Sequence, residues 1–245
     1  MSPPARLHHA DERLDAPVQD PDILAQSLDQ LAAVNRWLGG TRAVLRPVLA
    51  VLRPRGGGSV IDVGTGSGDA PRAIVRAARR ERLNVRVTAC DLHPQTVHLA
   101  AERSRSFPEI DVARADAAAL PFPDGAFDVA LLSLTLHHFA DGVQLTALRE
   151  LARVARVSIV VNDLERSWPN YLGARLLAAT IWRTNPLTRH DGPVSVLRAF
   201  TPAELAERAR LAGLSGVHVR RAFFYRLVLT ARGNAASAAA AHTVA

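Results

Sequence analysis

A chain of 245 residues, 48% hydrophobic and with a mean hydropathy of +0.04, is long enough for one large α/β domain, and disorder is not its default. No apolar run reaches the ~20 residues of a membrane span, the first residues lack a signal peptide's apolar stretch, and the single cysteine, Cys90, rules out an intramolecular disulfide, so a cytoplasmic setting is expected. All 30 basic residues are Arg, and the formal net charge of +7 falls in residues 167–245, which hold ten Arg against three acids; solubility or a substrate-side field is the favoured reading, because the arginines are scattered and lack the aromatic interleaving of a single-strand nucleic-acid surface.

Residues 1–20 are polar and proline-containing and are expected to be poorly ordered. From Pro21 the apolar residues Ile23, Leu24, Leu28, Leu31, Val34, Trp37 and Leu38 recur at helical spacing, and Gly39-Gly40 divides the region into two helices. The second, near Thr41–Leu52, carries Pro47 and is expected to kink or begin there. Residues 1–56 thus read as an N-terminal helical cap. Strands at 59–63, 84–90, 110–115, 126–133 and 157–162 then alternate with helices at 69–82, 94–105 and 141–155, the pattern of a doubly wound parallel sheet over residues 57–232. Thr201-Pro-Ala-Glu204 is a capping box opening a helix to Ala212, and Val217–Arg221 and Phe224–Thr230 are the last two strands. Residues 233–245 read as a flexible alanine-rich tail.

The chemistry begins at Val60-Ile-Asp-Val-Gly-Thr-Gly-Ser-Gly-Asp69. A β-branched strand runs into a glycine turn, where bare backbone can lie against a ligand, and Asp69 opens the next helix. This is the place at which open α/β sheets bind nucleotides. The dinucleotide fingerprint G-x-G-x-x-G requires its third glycine where Asp69 stands, and carboxylates at Asp62 and Asp69 suit a cationic ligand better than a pyrophosphate. Asp91 ends the second strand, where a carboxylate can accept ribose hydroxyls, and Asp116 follows the third. Then come Leu120-Pro-Phe-Pro-Asp-Gly-Ala-Phe-Asp128 and Leu136-His-His-Phe139.

These ordered motifs resemble the class I S-adenosylmethionine-dependent methyltransferases, and in particular the ubiquinone/menaquinone-type small-molecule enzymes. The resemblance implies a seven-stranded Rossmann-like α/β sheet of order 3-2-1-4-5-7-6, its last strand antiparallel. It implies S-adenosyl-L-methionine as cofactor, with S-adenosyl-L-homocysteine as product. The residues it marks as cofactor-binding are Asp62, Gly64, Thr65, Gly66, Gly68, Asp91, Leu92, Asp116, Ala117 and Ser133, with adenine near Asp116 and Ala117.

Residues 163–200 exceed what that fold needs between its fifth strand and the capped helix, and they read as a lid insertion. Leu172, Leu176, Leu177, Thr180 and Ile181 form a helical stripe, with Trp168, Tyr171 and Trp182 nearby. Three readings stand: a staple for extra helices, an apolar lid over the methyl acceptor to which Trp37 also contributes, or, least favoured, an interfacial helix touching lipid beside Arg175 and Arg183. A hydroxyl acceptor must lose a proton, so His190, His138, His137 and Asp163 are the candidate catalytic residues. His8, His9, His93, His98, His218 and His242 read as surface or structural, and no metal site is expected. The expected function is O-methylation of a small apolar or aromatic metabolite such as a phenol, polyketide or quinone-like compound, with no nucleic-acid partner. The alternatives are C-methylation of a quinone-type ring, an NAD-dependent oxidoreductase and a noncatalytic cofactor-binding protein.

Overall fold

The computed structural model describes residues 2–8 and 12–234. Its elements are α1 (Pro21–Trp37), α2 (Gly40–Leu52), β1 (Gly57–Val63), α3 (Asp69–Glu81), β2 (Asn84–Asp91), α4 (Pro94–Ser104), β3 (Ile110–Arg114), β4 (Phe127–Ser133), α5 (Asp141–Val154), β5 (Ala155–Leu164), α6 (Trp168–Ala179), α7 (Pro186–Arg198), α8 (Pro202–Leu211), β6 (His218–Ala222) and β7 (Arg226–Arg232). One-turn 3-10 helices lie at Arg13–Asp15, Arg53–Arg55 and Leu136–His138.

The seven strands form one sheet of order β3-β2-β1-β4-β5-β7-β6, with β1 to β5 parallel and β7 antiparallel to both β5 and β6. The register pairs Val63 with Cys90 and with Leu132, and Ser133 with Asn162, so the carboxyl ends of β1, β2, β4 and β5 finish level. Strand residues alternate between two cores, and both faces are covered, as parallel sheets require. Val60, Val87, Val129, Leu131 and Val160 meet α2 and α3 on one side, whereas Ile61, Val63, Leu132, Ile159 and Val161 meet α5 and α8 on the other. Asp20 caps α1 by accepting the N–H groups of Asp22 and Ile23, and the Thr201–Glu204 capping box is formed in full.

Three expectations need correction. Helix α2 starts at Gly40 and runs through Pro47, which only withdraws the N–H that would have bonded one turn back. The first twenty residues, where described, are not a loose arm: Glu12 is 3% exposed, and Asp191 accepts the backbone N–H groups of Arg13 and Leu14, both at 2.9 Å. The third concerns residues 163–200, which hold α6 and α7. Trp182 is buried in the turn after α6 and presses on Gly192, where a Cβ would come within 2.3 Å of the indole. Trp182 therefore staples this insertion together. The stripe residues Leu172, Leu176 and Ile181 instead point to solvent. From residue 235 on, the expected tail lies outside the described residues.

Two glycines of the β1–α3 turn differ in what they serve. Gly64 has φ +66°, and a Cβ there would lie 2.5 Å from Thr135 Cγ2 and Oγ1; Gly66 has φ +55° but its nearest neighbour would be Leu28 Cδ2 at 3.7 Å. Gly64→Ala should therefore cost about 2–4 kcal/mol of stability, from backbone strain plus the clash, and Gly66→Ala only about 1 kcal/mol, from strain alone. Urea denaturation of the two variants checks the ranking; equal losses would contradict it.

Candidate active site

At the carboxyl ends of β1, β2 and β4 lies a cavity of about 670 Å³. Its floor is the β1–α3 turn, from Asp62 to Ala70. One wall comes from Asp91 to Thr96 and from Arg114 to Ala117, and another from Ser133, Leu134, Thr135, His138 and Phe139. The roof is Leu28, Leu31, Ala32 and Asn35 of α1, Gly40, Thr41 and Val44 of α2, and the strap residues Leu14, Asp15 and Pro17. Of the sequence-derived cofactor residues, Asp62, Gly64, Thr65, Gly66, Asp91, Leu92, Asp116, Ala117 and Ser133 all line this space; Gly68 sits behind them as the left-handed N-cap of α3.

The cavity floor is acidic. Asp62 is 1% exposed; its Oδ2 accepts the Thr65 hydroxyl at 2.7 Å, while Oδ1 is buried with no partner. Burial first, and then the neighbouring charges of Asp69 and Asp91, push the Asp62 carboxyl up to about 8 against the Thr65 hydrogen bond. Burial also raises Asp69 and Asp91 above the ordinary carboxylate range. Asp91 orders the turn, because its two oxygens accept the N–H groups of Gly66 and His93 at 3.0 and 3.1 Å. At the far end, Asp116 Oδ1 accepts the Ala118 N–H at 2.8 Å. Leu92 offers an exposed apolar side chain to the same space, and His93, expected at the surface, is part of the wall.

A second cluster closes the other end. His137 and His138 lie on the 3-10 turn after β4, with ring centroids 4.4 Å apart. Asp163, at the end of β5, receives His137 Nδ1 at 2.6 Å and the His137 N–H at 3.2 Å. His138 Nδ1 meets Asp15 Oδ1 at 3.0 Å, and its Nε2 lies 3.6 Å from Glu12 Oε2, outside hydrogen-bond range. Burial disfavours the charged imidazole, but Glu12 and Asp15 outweigh it and push His138 up to about 9, with Arg198 opposing. Asp15 is held below the usual carboxylate range: burial would raise it, but the His138 hydrogen bond and the positive charges of His138, Arg198 and His137 prevail.

Glu12, His137 and His138 carry donor atoms within 4.8 Å of one another, a grouping that a cation could bridge and that the sequence reading did not foresee. The Arg198 guanidinium already provides positive charge there: Nε lies 3.7 Å from Glu12 Oε1 and donates to the His137 carbonyl, while Nη2 donates to that of His138. The Ser195 hydroxyl donates to Glu12 Oε2 at 2.6 Å. The strap is thus fastened by α7 and the His-His turn together.

The remaining expected residues are not brought to the cavity. Among the described residues, its lining contains none from 163–200. His190 is half-buried and bonded through Nδ1 to Asp191, the strap's anchor, at 2.7 Å. Trp168 is 41% exposed and stacks edge-on with Tyr171, and Trp37 is 73% exposed. Glu12 and Asp15 were missed because a polar N-terminal segment offers no periodicity that ties it to a site more than 100 residues later, and Arg198 because nothing local in α7 ties it to a turn 61 residues earlier.

Residues 60–158 match the family model described as a methyltransferase domain. Over that stretch the chain is similar to methyltransferase domains. It is 31% identical over 121 residues to a demethylmenaquinone methyltransferase of Bacillus licheniformis, covering 49% of this chain and 50% of that one. It is 29% identical over 153 residues to a ubiquinone/menaquinone biosynthesis C-methyltransferase of Geotalea uraniireducens, covering 60% and 62%. The chain thus spans between half and two thirds of these relatives. A solved methyltransferase from Aquifex aeolicus shares the fold with a TM-score of 0.59 at 20% identity, over 88% of this chain and 99% of that one.

The burial of Asp62 carries a stability cost that titration exposes. An ordinary aspartate titrates at 3.8, whereas this one titrates at about 8 when folded. The raised folded value means that Asp62 favours folding below pH ~4 and that this contribution is lost as pH rises through about 8. Asp62→Asn should therefore stabilise the ligand-free protein at neutral pH, by a margin that grows from pH 4 to 8 and vanishes below it. Thermal denaturation across that range checks this; a destabilised variant at pH 7.5 would contradict it.

Proposed function

We propose that the protein is an S-adenosylmethionine-dependent methyltransferase acting on a small, apolar, aromatic or enolic metabolite, with the phenol or enol oxygen as acceptor atom and the cytoplasm as its setting. The observation that carries the cofactor assignment is Asp62: a buried carboxyl with one empty oxygen, flanked by Asp69 and Asp91 under a glycine turn, is completed by a cation and repels a pyrophosphate. The residues present fit the group. Asp62 would take the ammonium of the methionine part, the open Gly66 backbone would lie along it, Asp91 retains acceptor capacity for ribose hydroxyls, and Leu92, Asp116 and Ala117 would hold the adenine. When bound, S-adenosylmethionine supplies a methyl group on a cationic sulfur, open to in-line displacement.

The protein's task is then to position the acceptor and remove its proton. His138 and Asp15 are the polar pair lining the cavity beyond the turn, with Leu14, Pro17 and Phe139 as apolar neighbours. An ordinary histidine lies ~3.5 units below a phenol of pKa ~10, a mismatch worth roughly 5 kcal/mol; a group near 9 lies only about one unit away, or ~1.4 kcal/mol. In this reading Asp15 holds Nδ1, His138 takes the acceptor proton through Nε2, and Glu12 and Asp15 stabilise the imidazolium that results. His137, locked by Asp163, positions the turn. His190, outside the cavity lining, acts through Asp191 on the strap.

Carbon methylation is the second reading, favoured by the relative named as a C-methyltransferase. An ionised phenol or enol has nucleophilic character at both oxygen and ring carbon, so the same base serves both, and product analysis after a labelled-methyl transfer screen of phenols, quinols and enols separates them.

His138→Gln should lower kcat by about 10²–10⁴ with cofactor affinity unchanged. The wild-type rate should climb with pH toward 9, as His138 loses its proton, and the variant should lack that limb. An unchanged kcat, or the same limb in both proteins, would place the base elsewhere. Calorimetry should give binding of S-adenosylhomocysteine and not of NADH; the reverse would overturn the cofactor assignment.

A further inference from the structure

Helix α6 is packed inside out. The side it buries is small or polar, Asn170, Ala174 and Ala178, while Trp168, Leu172 and Leu176 face solvent at 41%, 62% and 65% exposure. Ile181, in the turn that follows, is 65% exposed. A surface helix ordinarily turns its large apolar side chains to the core, so among the described residues this face lacks a partner.

The same end of the molecule carries a second apolar outcrop. At the β6–β7 hairpin tip Phe223 is 73% exposed and packs edge-on with Phe224. The tip is fixed on both sides: the Phe224 N–H donates to the Leu38 carbonyl, next to the exposed Trp37, and the Tyr225 carbonyl accepts the Glu165 N–H just before α6. The α1–α2 turn, the hairpin tip and the entrance to α6 thus lie together at the carboxyl edge of the sheet, on the side where the cavity is built.

The insertion and the hairpin carry exposed charge of one sign. From Trp168 to His190 the chain contains Arg175, Arg183 and Arg189, all exposed, and no acid; the hairpin from Val217 onward contains no acid either. Arg36 lies over the Trp37 ring at 5.2 Å. Glu165, beneath the tip, is buried and paired with Arg221 at 2.7 Å.

We propose that this face docks on an anionic lipid bilayer. Leucine, isoleucine and exposed tryptophan and phenylalanine rimmed by arginine are the composition that lies in the headgroup region of a membrane and is drawn there by negative lipid. Pairing of two copies through the same face would oppose arginine to arginine, which favours the bilayer over a second chain. Among the described residues no helix is long and apolar enough to cross a membrane, so the contact is peripheral. The proposal does not depend on which acceptor is methylated.

Flotation with vesicles tests it. The full chain should float with vesicles of equal phosphatidylglycerol and phosphatidylcholine at low salt, at least tenfold more than with phosphatidylcholine alone, and the binding should weaken as salt screens the charge. Leu172→Ser combined with Ile181→Ser should cut the bound fraction at least tenfold, and Arg175→Gln with Arg183→Gln should remove the preference for anionic lipid. Calorimetry with S-adenosylhomocysteine should show both variants folded, with unaltered affinity. Absence of wild-type flotation, unchanged flotation of the leucine–isoleucine variant, or a solution dimer that this variant abolishes in place of vesicle binding would each overturn the proposal.

Discussion

The structure turns on the burial of Asp62 at the end of β1. Parallel strands that finish level leave a crevice at their carboxyl ends, and here three aspartates surround it with one buried oxygen unsatisfied. Such a group is costly to ionise without a counter-charge. The cost is tolerable if the molecule is built to receive a cation at that point. The neighbouring features fit that requirement: Asp91 orders the glycine turn through its hydrogen bonds, α1 and α2 roof the space, and Gly66 leaves the floor bare.

The N-terminal strap extends this logic to the other end of the cavity. Glu12 is buried among His137, His138, Arg198 and Ser195, and Asp191 ties down the next two backbone N–H groups. The strap therefore completes the cavity and also sets the protonation of His138. Removing Glu12 would take away one of the negative charges that face His138 and Arg198, so loss of site geometry and a fall in the raised His138 pKa should accompany each other.

The alternation of strands and helices, the glycine turn and the acids at strand ends were legible because each is local; the sheet order came with the resemblance that these motifs carry. β-branched runs, the spacing of Gly64, Gly66 and Gly68, and the positions of Asp91 and Asp116 are read within a few residues of one another. Pro47 misled because propensity argues against a proline in mid-helix, whereas packing of Val44, Val48 and Leu52 against the sheet carries α2 through it. The insertion misled in another way. Its stripe was correctly read as apolar, yet a helix with small residues on one side and large ones on the other can bury either, and here Ala174 and Ala178 face inward. Glu12, Asp15 and Arg198 join the site only through tertiary contacts, which no local pattern announces.

The central claim is that Asp62 waits as a neutral acid and ionises when a cationic ligand arrives. Calorimetric titration of S-adenosylhomocysteine at pH 6.5, repeated in buffers of different ionisation enthalpy, measures the protons exchanged on binding. At that pH a carboxyl titrating at about 8 is nearly all protonated, and the ligand's amine, with a pKa near or above ~8, is mostly charged already. The account predicts release of close to one proton per ligand bound by the wild-type protein and almost none by Asp62→Asn. Binding with no proton release in the wild type would contradict it.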